Sequence, residues 1–97
     1  MKTRAEYINI IKSHANELKS RYGVTSLRIF GSVARDEHRE DSDLDIMVKM
    51  PPQAYLMADT MLYLENALGC KVDLVRDRSN LRPSFRKLVE NDAITII

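Results

Sequence analysis

Two aspartates, Asp43 and Asp45, stand one residue apart in the segment DSDLDIMV. Residues two apart on a strand point to the same face, so the two carboxylates are neighbours. Like charges this close repel, and each seeks solvent or a partner. A divalent cation removes the conflict, since hard ions such as Mg²⁺ take oxygen ligands and bridge carboxylates to substrate phosphates. Asp73 lies in KVDLV, a second strand-like segment. If the two strands are neighbours, Asp73 faces the same way, and three carboxylates can hold two metal ions.

Upstream, Gly31-Ser32 interrupts an apolar run. Gly31 has no Cβ, so a phosphate can come close to the backbone; Ser32 adds a hydroxyl, and a following helical turn offers free N–H groups to an anion. Arg35 comes about one helical turn after Ser32 and can reach the same phosphates or steady a carboxylate. Arg39 is a second candidate cation. Each feature alone is also what a solvated loop or surface charge looks like; their order in the chain is what points to chemistry. The turn can hold a polyphosphate and the carboxylates can hold the metals that bind it. The reaction implied is attack of a hydroxyl on phosphorus, with one metal lowering the hydroxyl pKa and the other stabilising the leaving group.

The elements that must position these groups are legible in outline. Thr3 and Glu6 form a capping box. Ile8, Ile11, Ala15, Leu18 and Tyr22 then make one amphipathic helix, ended by Gly23. Thr25–Phe30 is a short strand, and VARDEHR a short helix or helical turn. In DLDIMV, Leu44, Ile46 and Val48 alternate with Asp43, Asp45 and Met47, as in a strand with one face to the core. Pro51-Pro52 stops it. Gln53 to Leu68 is helical, with Met57, Met61, Leu64 and Leu68 as its stripe and Gly69 as its end. Lys71–Val75 is a third strand. Pro83 opens a last helix through Val89 or Glu90, and AITII is either a final edge strand or a hydrophobic tail. The order predicts an α/β (α+β) fold, a small mixed sheet with helices packed against it.

The 97 residues suffice for one small domain, 1–97, with no repeat or linker. A composition 44% hydrophobic and 30% charged is that of a soluble globular protein, and a net charge of +1 argues against stand-alone nucleic-acid binding. No apolar run approaches a membrane span and no signal-peptide core opens the chain. The lone Cys70 excludes an internal disulfide, fits a reducing cytoplasm and reads as a buried structural thiol. His14 and His38, the only histidines, have no zinc-like spacing and read as surface or boundary residues. Tyr7, Tyr22, Tyr55 and Tyr63 read as packing residues, and the Met57–Met61 stretch as core that could also adapt to a partner.

GSVAR, followed by SDLDIMV and later VDLV, resembles the nucleotidyltransferase superfamily that includes DNA polymerase β. That pattern is Gly-Ser, a spacer, Asp-x-Asp, and a third acidic residue on a later strand. The chain is most similar to the minimal nucleotidyltransferase (MNT) antitoxins of HEPN–MNT toxin–antitoxin pairs. The resemblance implies that Gly31 and Ser32 form the phosphate-binding turn and that Arg35 joins them. It implies that Asp43, Asp45 and Asp73 are the metal-binding, catalytic carboxylates. It also implies two Mg²⁺ ions, ATP as substrate, and transfer of AMP to a tyrosine hydroxyl of a partner HEPN toxin, an RNase silenced by the change. One departure stands out: the MNT pattern usually has Gly after the arginine, and this chain has Asp36, whose charge would either sit near the phosphates or face solvent.

With no acceptor-holding domain legible, the expected partner is a second protein covering the site. The C-terminal LVENDAITII or the outer side of the Met-rich helix would be its contact. The competing reading is a non-catalytic antitoxin that neutralises its toxin by direct complex formation.

Overall fold

The computed structural model describes every residue from Met1 to Ile97. The capping box forms as expected: Glu6 N–H donates to Thr3 Oγ1 at 3.1 Å, and Thr3 N–H donates to Glu6 Oε1 at 3.0 Å. The single N-terminal helix of the sequence reading is in fact two, α1 (Arg4–Ser13) and α2 (Ala15–Tyr22), hinged at His14 (φ −103°, ψ 5°). The Ser13 hydroxyl donates to Ile10 O at 2.6 Å, a local bond of the kind that bends helices. Gly23, at φ 71°, ends α2 in the left-handed conformation.

Four strands follow: β1 (Ser26–Phe30), β2 (Leu44–Lys49), β3 (Val72–Arg76) and β4 (Ile94–Thr95). They form one sheet in the order β3-β2-β1-β4. β2 and β3 are parallel and the other pairs antiparallel, giving the expected small mixed α/β sheet. Parallel neighbours need a crossover, which is the helix α4 (Ala54–Leu68) between β2 and β3; a four-residue helical turn, α3 (Gly31–Ala34), follows β1, and α5 (Pro83–Asp92) follows β3. The last helix runs two residues beyond Glu90 and starts with Pro83, as anticipated.

Alternation along the strands divides the side chains between two faces. Leu27, Ile29, Leu44, Ile46, Val48 and Val72 form the main core with Ile11, Leu18, Leu64 and Leu68 of α1, α2 and α4. Phe30, Met47 and Val89 form a second, smaller core on the opposite face, with Phe85 of α5 packed edge-on against Phe30 at 5.9 Å. Asp77, 10% exposed, is held by Arg28 on one side and Arg86 on the other, each at 3.3 Å, and so ties α5 to this face.

The C-terminal AITII is an edge strand. Ile94 pairs with Ile29, Ile96 N–H donates to Leu27 O at 2.9 Å, and Ile94, Ile96 and Ile97 pack on the main core. Met57, Met61 and Tyr63 pack against that core only in part, whereas Tyr55 points outward at 68% exposure, contrary to its expected packing role. Its hydroxyl donates to Gln53 at the helix entrance instead. Cys70 is half-buried rather than buried, and burial holds its thiol above the ordinary value. No helix is long and apolar enough to cross a membrane.

Candidate active site

Asp45 and Asp73 are direct register partners across the parallel β2–β3 pair. Paired residues share a face and neighbouring strands lie ~4.8 Å apart, so the two carboxyls meet. Phe30 of β1 is the partner of Asp45 on the other side. The row Phe30–Asp45–Asp73 thus crosses the sheet on the face that carries α5. Asp43 precedes β2 by one residue and is exposed, at the mouth of the row. Leu44 N–H already donates to Lys71 O at 2.9 Å, which holds the Asp43–Asp45 segment beside the start of β3.

The environment of Asp45 is electrostatically unfavourable for a charge. Its carboxyl is held above the ordinary carboxylate value, first by burial, then by the charges of Asp73 and Asp43; Arg35 pulls the other way. Asp73 acts on it from the paired position of the neighbouring strand. No three acidic, histidine or cysteine side chains stand close enough to cage an ion unaided. The grouping is a close pair, Asp45 and Asp73, with Asp43 in front. This set fits a hard divalent cation. It is all oxygen, it carries excess negative charge, and Mg²⁺ is usually bound by one or two carboxylates plus substrate phosphates, not by an all-protein cage.

The Gly31 turn lies directly against the carboxylate. Gly31 has φ +73°, a conformation in which L side chains are strained, and a Cβ built there would run into Asp45 Oδ2 and stand 3.0 Å from its Cγ. The space that sequence reasoning reserved for a phosphate is therefore bounded by Asp45. The turn and the carboxylate pair form one contiguous surface. α3 follows with no side-chain cap at Phe30, so first-turn N–H groups remain available to an anion. Ser32 is half-buried within that turn.

Residues 11–96 match the nucleotidyltransferase domain family. The chain belongs to that family. A candidate protein adenylyltransferase of Methanocaldococcus jannaschii is 41% identical over 100 residues, covering 99% of this nucleotidyltransferase and 100% of the relative. Protein adenylyltransferase MntA of Thermococcus cleftensis is 37% identical over 98 residues, covering 99% and 98%. Among solved structures, one described as a candidate minimal nucleotidyltransferase superposes with a TM-score of 0.78 at 38% identity, covering 96% of this chain and 95% of that one. More distant structures share the fold. One is a toxin–antitoxin with AMP-PNP (TM-score 0.72, 21% identity, 89% and 72% covered). Another is a tri-AMPylated Shewanella oneidensis HEPN toxin in complex with MNT antitoxin (0.65, 19%, 93% and 71%).

Within this nucleotidyltransferase, Arg35 is already engaged. It caps the C-terminus of α3, and its guanidinium pairs with Asp92 at 2.6 Å and Glu37 at 3.1 Å. It tethers the end of α5 to the turn while remaining in electrostatic range of Asp45. Arg39 is exposed, and its backbone N–H donates to Ser42 Oγ at 2.9 Å in the turn that delivers Asp43. Asp36 has φ 61°, the chain's one non-glycine residue in the left-handed region, and is exposed. The glycine usual in the MNT pattern thus falls at a position whose backbone favours glycine, and aspartate is among the few other residues that tolerate it.

Two supporting residues were missed. Arg4 donates to Ala34 O at 2.9 Å, joining α1 to the end of α3, and His38 Nε2 lies 2.8 Å from Lys2 O. Partners this far apart in the chain leave no spacing signal.

Proposed function

We propose that this chain is a minimal nucleotidyltransferase, comprising residues 1–97, that transfers AMP from ATP to a tyrosine hydroxyl of a partner HEPN toxin in the cytoplasm and so neutralises it. The observation that carries this reading is the Asp45–Asp73 pair, in register on an open sheet face and in contact with the Gly31 turn. The Thermococcus relative's name and the AMPylated HEPN complex support protein as the acceptor class. The AMP-PNP complex supports ATP as the donor.

In this mechanism the N–H groups of α3 and the Ser32 hydroxyl receive the triphosphate. Asp43, Asp45 and Asp73 would hold Mg²⁺, two ions in the full arrangement; when bound, the metal supplies charge neutralisation at the phosphates and a lowered pKa for the attacking hydroxyl. Asp73, exposed at the edge of the row, faces the incoming acceptor and can take up its proton. The tyrosine oxygen forms a bond to the α-phosphorus, the bond from that phosphorus to the bridging oxygen breaks, and pyrophosphate leaves. Transfer needs the acceptor held in line at ~3–3.5 Å, and a partner covering the open face supplies that constraint.

The test is incubation with ATP labelled at the α-phosphate, Mg²⁺ and the co-encoded HEPN protein, beside an Asp45→Asn variant. Label on a HEPN tyrosine, lost with Asn, supports the reading. An unlabelled HEPN protein that is nevertheless inhibited in a tight complex would replace it with the non-catalytic antitoxin.

A further inference from the structure

The largest cavity in the structure does not contain the carboxylates. It is an open groove of about 640 Å³ between the loop after β3 and the first turns of α5, lined by Arg78, Leu81, Arg82, Phe85 and Leu88. It lies on the same side of the sheet as the carboxylate row, because Phe85 and Leu81 pack on Phe30 and Met47. Asp73, Val75 and Asp77 share that face, and four residues of strand place the groove end ~13 Å from Asp73.

Its charge is strongly one-sided. Two cations, Arg78 and Arg82, line it and no carboxylate does, and the segment from Arg76 to Lys87 that forms it has Asp77 as its single carboxylate. Asp77 is consumed by Arg28 and Arg86. The chain's other ion pairs involve Glu17, Glu37 and Asp92, so Arg78 and Arg82 have no carboxylate partner. Beside them Leu88 is 56% exposed, an apolar side chain of this size that the fold leaves uncovered. The other large exposed apolar residues of a helix, Tyr55 and Leu62, belong to α4, which packs on the opposite face and cannot front the carboxylates.

We propose that this groove is the docking site for the protein acceptor, taking an acidic segment with an apolar side chain that seats on Leu88 between Arg78 and Arg82. The proposal rests on the reading of the chain as a protein adenylyltransferase. An apolar centre rimmed by arginine is the anatomy of a protein interface. Single-stranded nucleic acid would call for an exposed aromatic platform, and the groove's one aromatic, Phe85, is turned edge-on into Phe30. A partner seated here spans α5 and reaches the carboxylate row from the open side, so one contact fixes the acceptor hydroxyl and excludes other acceptors.

The experiment compares wild type with Arg78→Glu/Arg82→Glu and, separately, Leu88→Asp. AMP transfer to the co-encoded HEPN protein is measured as a function of HEPN concentration and of salt, with binding followed by calorimetry. The expected result is a rise of about tenfold or more in the KM for the HEPN protein, with the KM for ATP and the melting temperature unchanged. The salt dependence of the wild-type KM should flatten in the double variant, as for a steering charge. A HEPN KM within twofold of wild type in both variants overturns the proposal. So does unchanged HEPN binding accompanied by lost binding of a labelled oligoadenylate, which would make the groove a nucleic-acid site. If wild type binds the HEPN protein without transferring AMP, the enzymatic reading fails alone, and calorimetry with the same variants still decides the groove. If wild type does not bind it at all, both fail.

Discussion

Replacing Gly31 by alanine tests the joint between the phosphate turn and the carboxylates. Two penalties add. An alanine held at φ +73° costs roughly 1–2 kcal/mol for left-handed backbone. Its Cβ also displaces the Asp45 carboxylate, and pushing a short side chain ~30° off its rotamer costs about 0.5–1.5 kcal/mol. The unfolded chain returns about 0.4–1 kcal/mol, because alanine has less conformational freedom to lose. At the middle of these ranges the net loss is about 2 kcal/mol, or a fall in Tm of about 8–16 °C for a domain this size. The second penalty should vanish when Asp45 is alanine, since its Cβ stands 3.4 Å from the new one, an ordinary contact. Urea denaturation of wild type, Gly31→Ala, Asp45→Ala and the double variant, all without metal, gives the cycle. The expected coupling is about 0.5–1.5 kcal/mol, in the range seen for residues in contact. An equal penalty in both backgrounds, with unchanged m-values, refutes the contact and with it the placement of Asp45 against the turn.

Asp45→Asn should raise the Tm of the metal-free protein, because it removes a charge that burial, Asp73 and Asp43 all disfavour; Mg²⁺ with a non-hydrolysable ATP analogue should then stabilise wild type by about 2.7 kcal/mol at a hundred times its Kd and the variant far less. Asp36→Gly should leave stability unchanged or raise it by up to ~1 kcal/mol, and Asp36→Val should lower it, as read by thermal melts, since φ 61° suits glycine and strains a β-branched residue. Removing Ile94–Ile97 should cost about 3–4 kcal/mol, from three partly buried isoleucines, and abolish ATP binding along with partner binding; loss of partner binding alone, at a normal Tm, would mean the tail is a contact surface and not an edge strand.

Local chemistry in the chain was enough for much of this protein. The Thr3–Glu6 capping box, the glycine stops at Gly23 and Gly69, and the break at Gly31 follow from the conformational preferences of a few adjacent residues. The alternation in DLDIMV places Asp43 and Asp45 on the face opposite the main core, because strand side chains repeat every two residues, but it gave no sign that Met47 on that face is buried in a second core. The chain's resemblance in GSVAR, SDLDIMV and VDLV pointed to the family that the match over residues 11–96 then established.

Tertiary structure decided what the local pattern left open. Asp73 meets Asp45 only because the α4 crossover sets β3 parallel to β2 in that register; a shift of one residue would turn Asp73 toward the core. Gly31 is required by a carboxylate from another strand as much as by any phosphate. Arg35, expected to reach the phosphates or steady a carboxylate, pairs with Asp92, whose position depends on how α5 docks. The break at His14, the pairing of Ile94 with β1 and the cationic groove beside Leu88 likewise depend on packing between elements. Spacing along the chain encodes which side chains share a face of one element. Which faces then meet is settled by burial of the two apolar cores, a property of all the elements together.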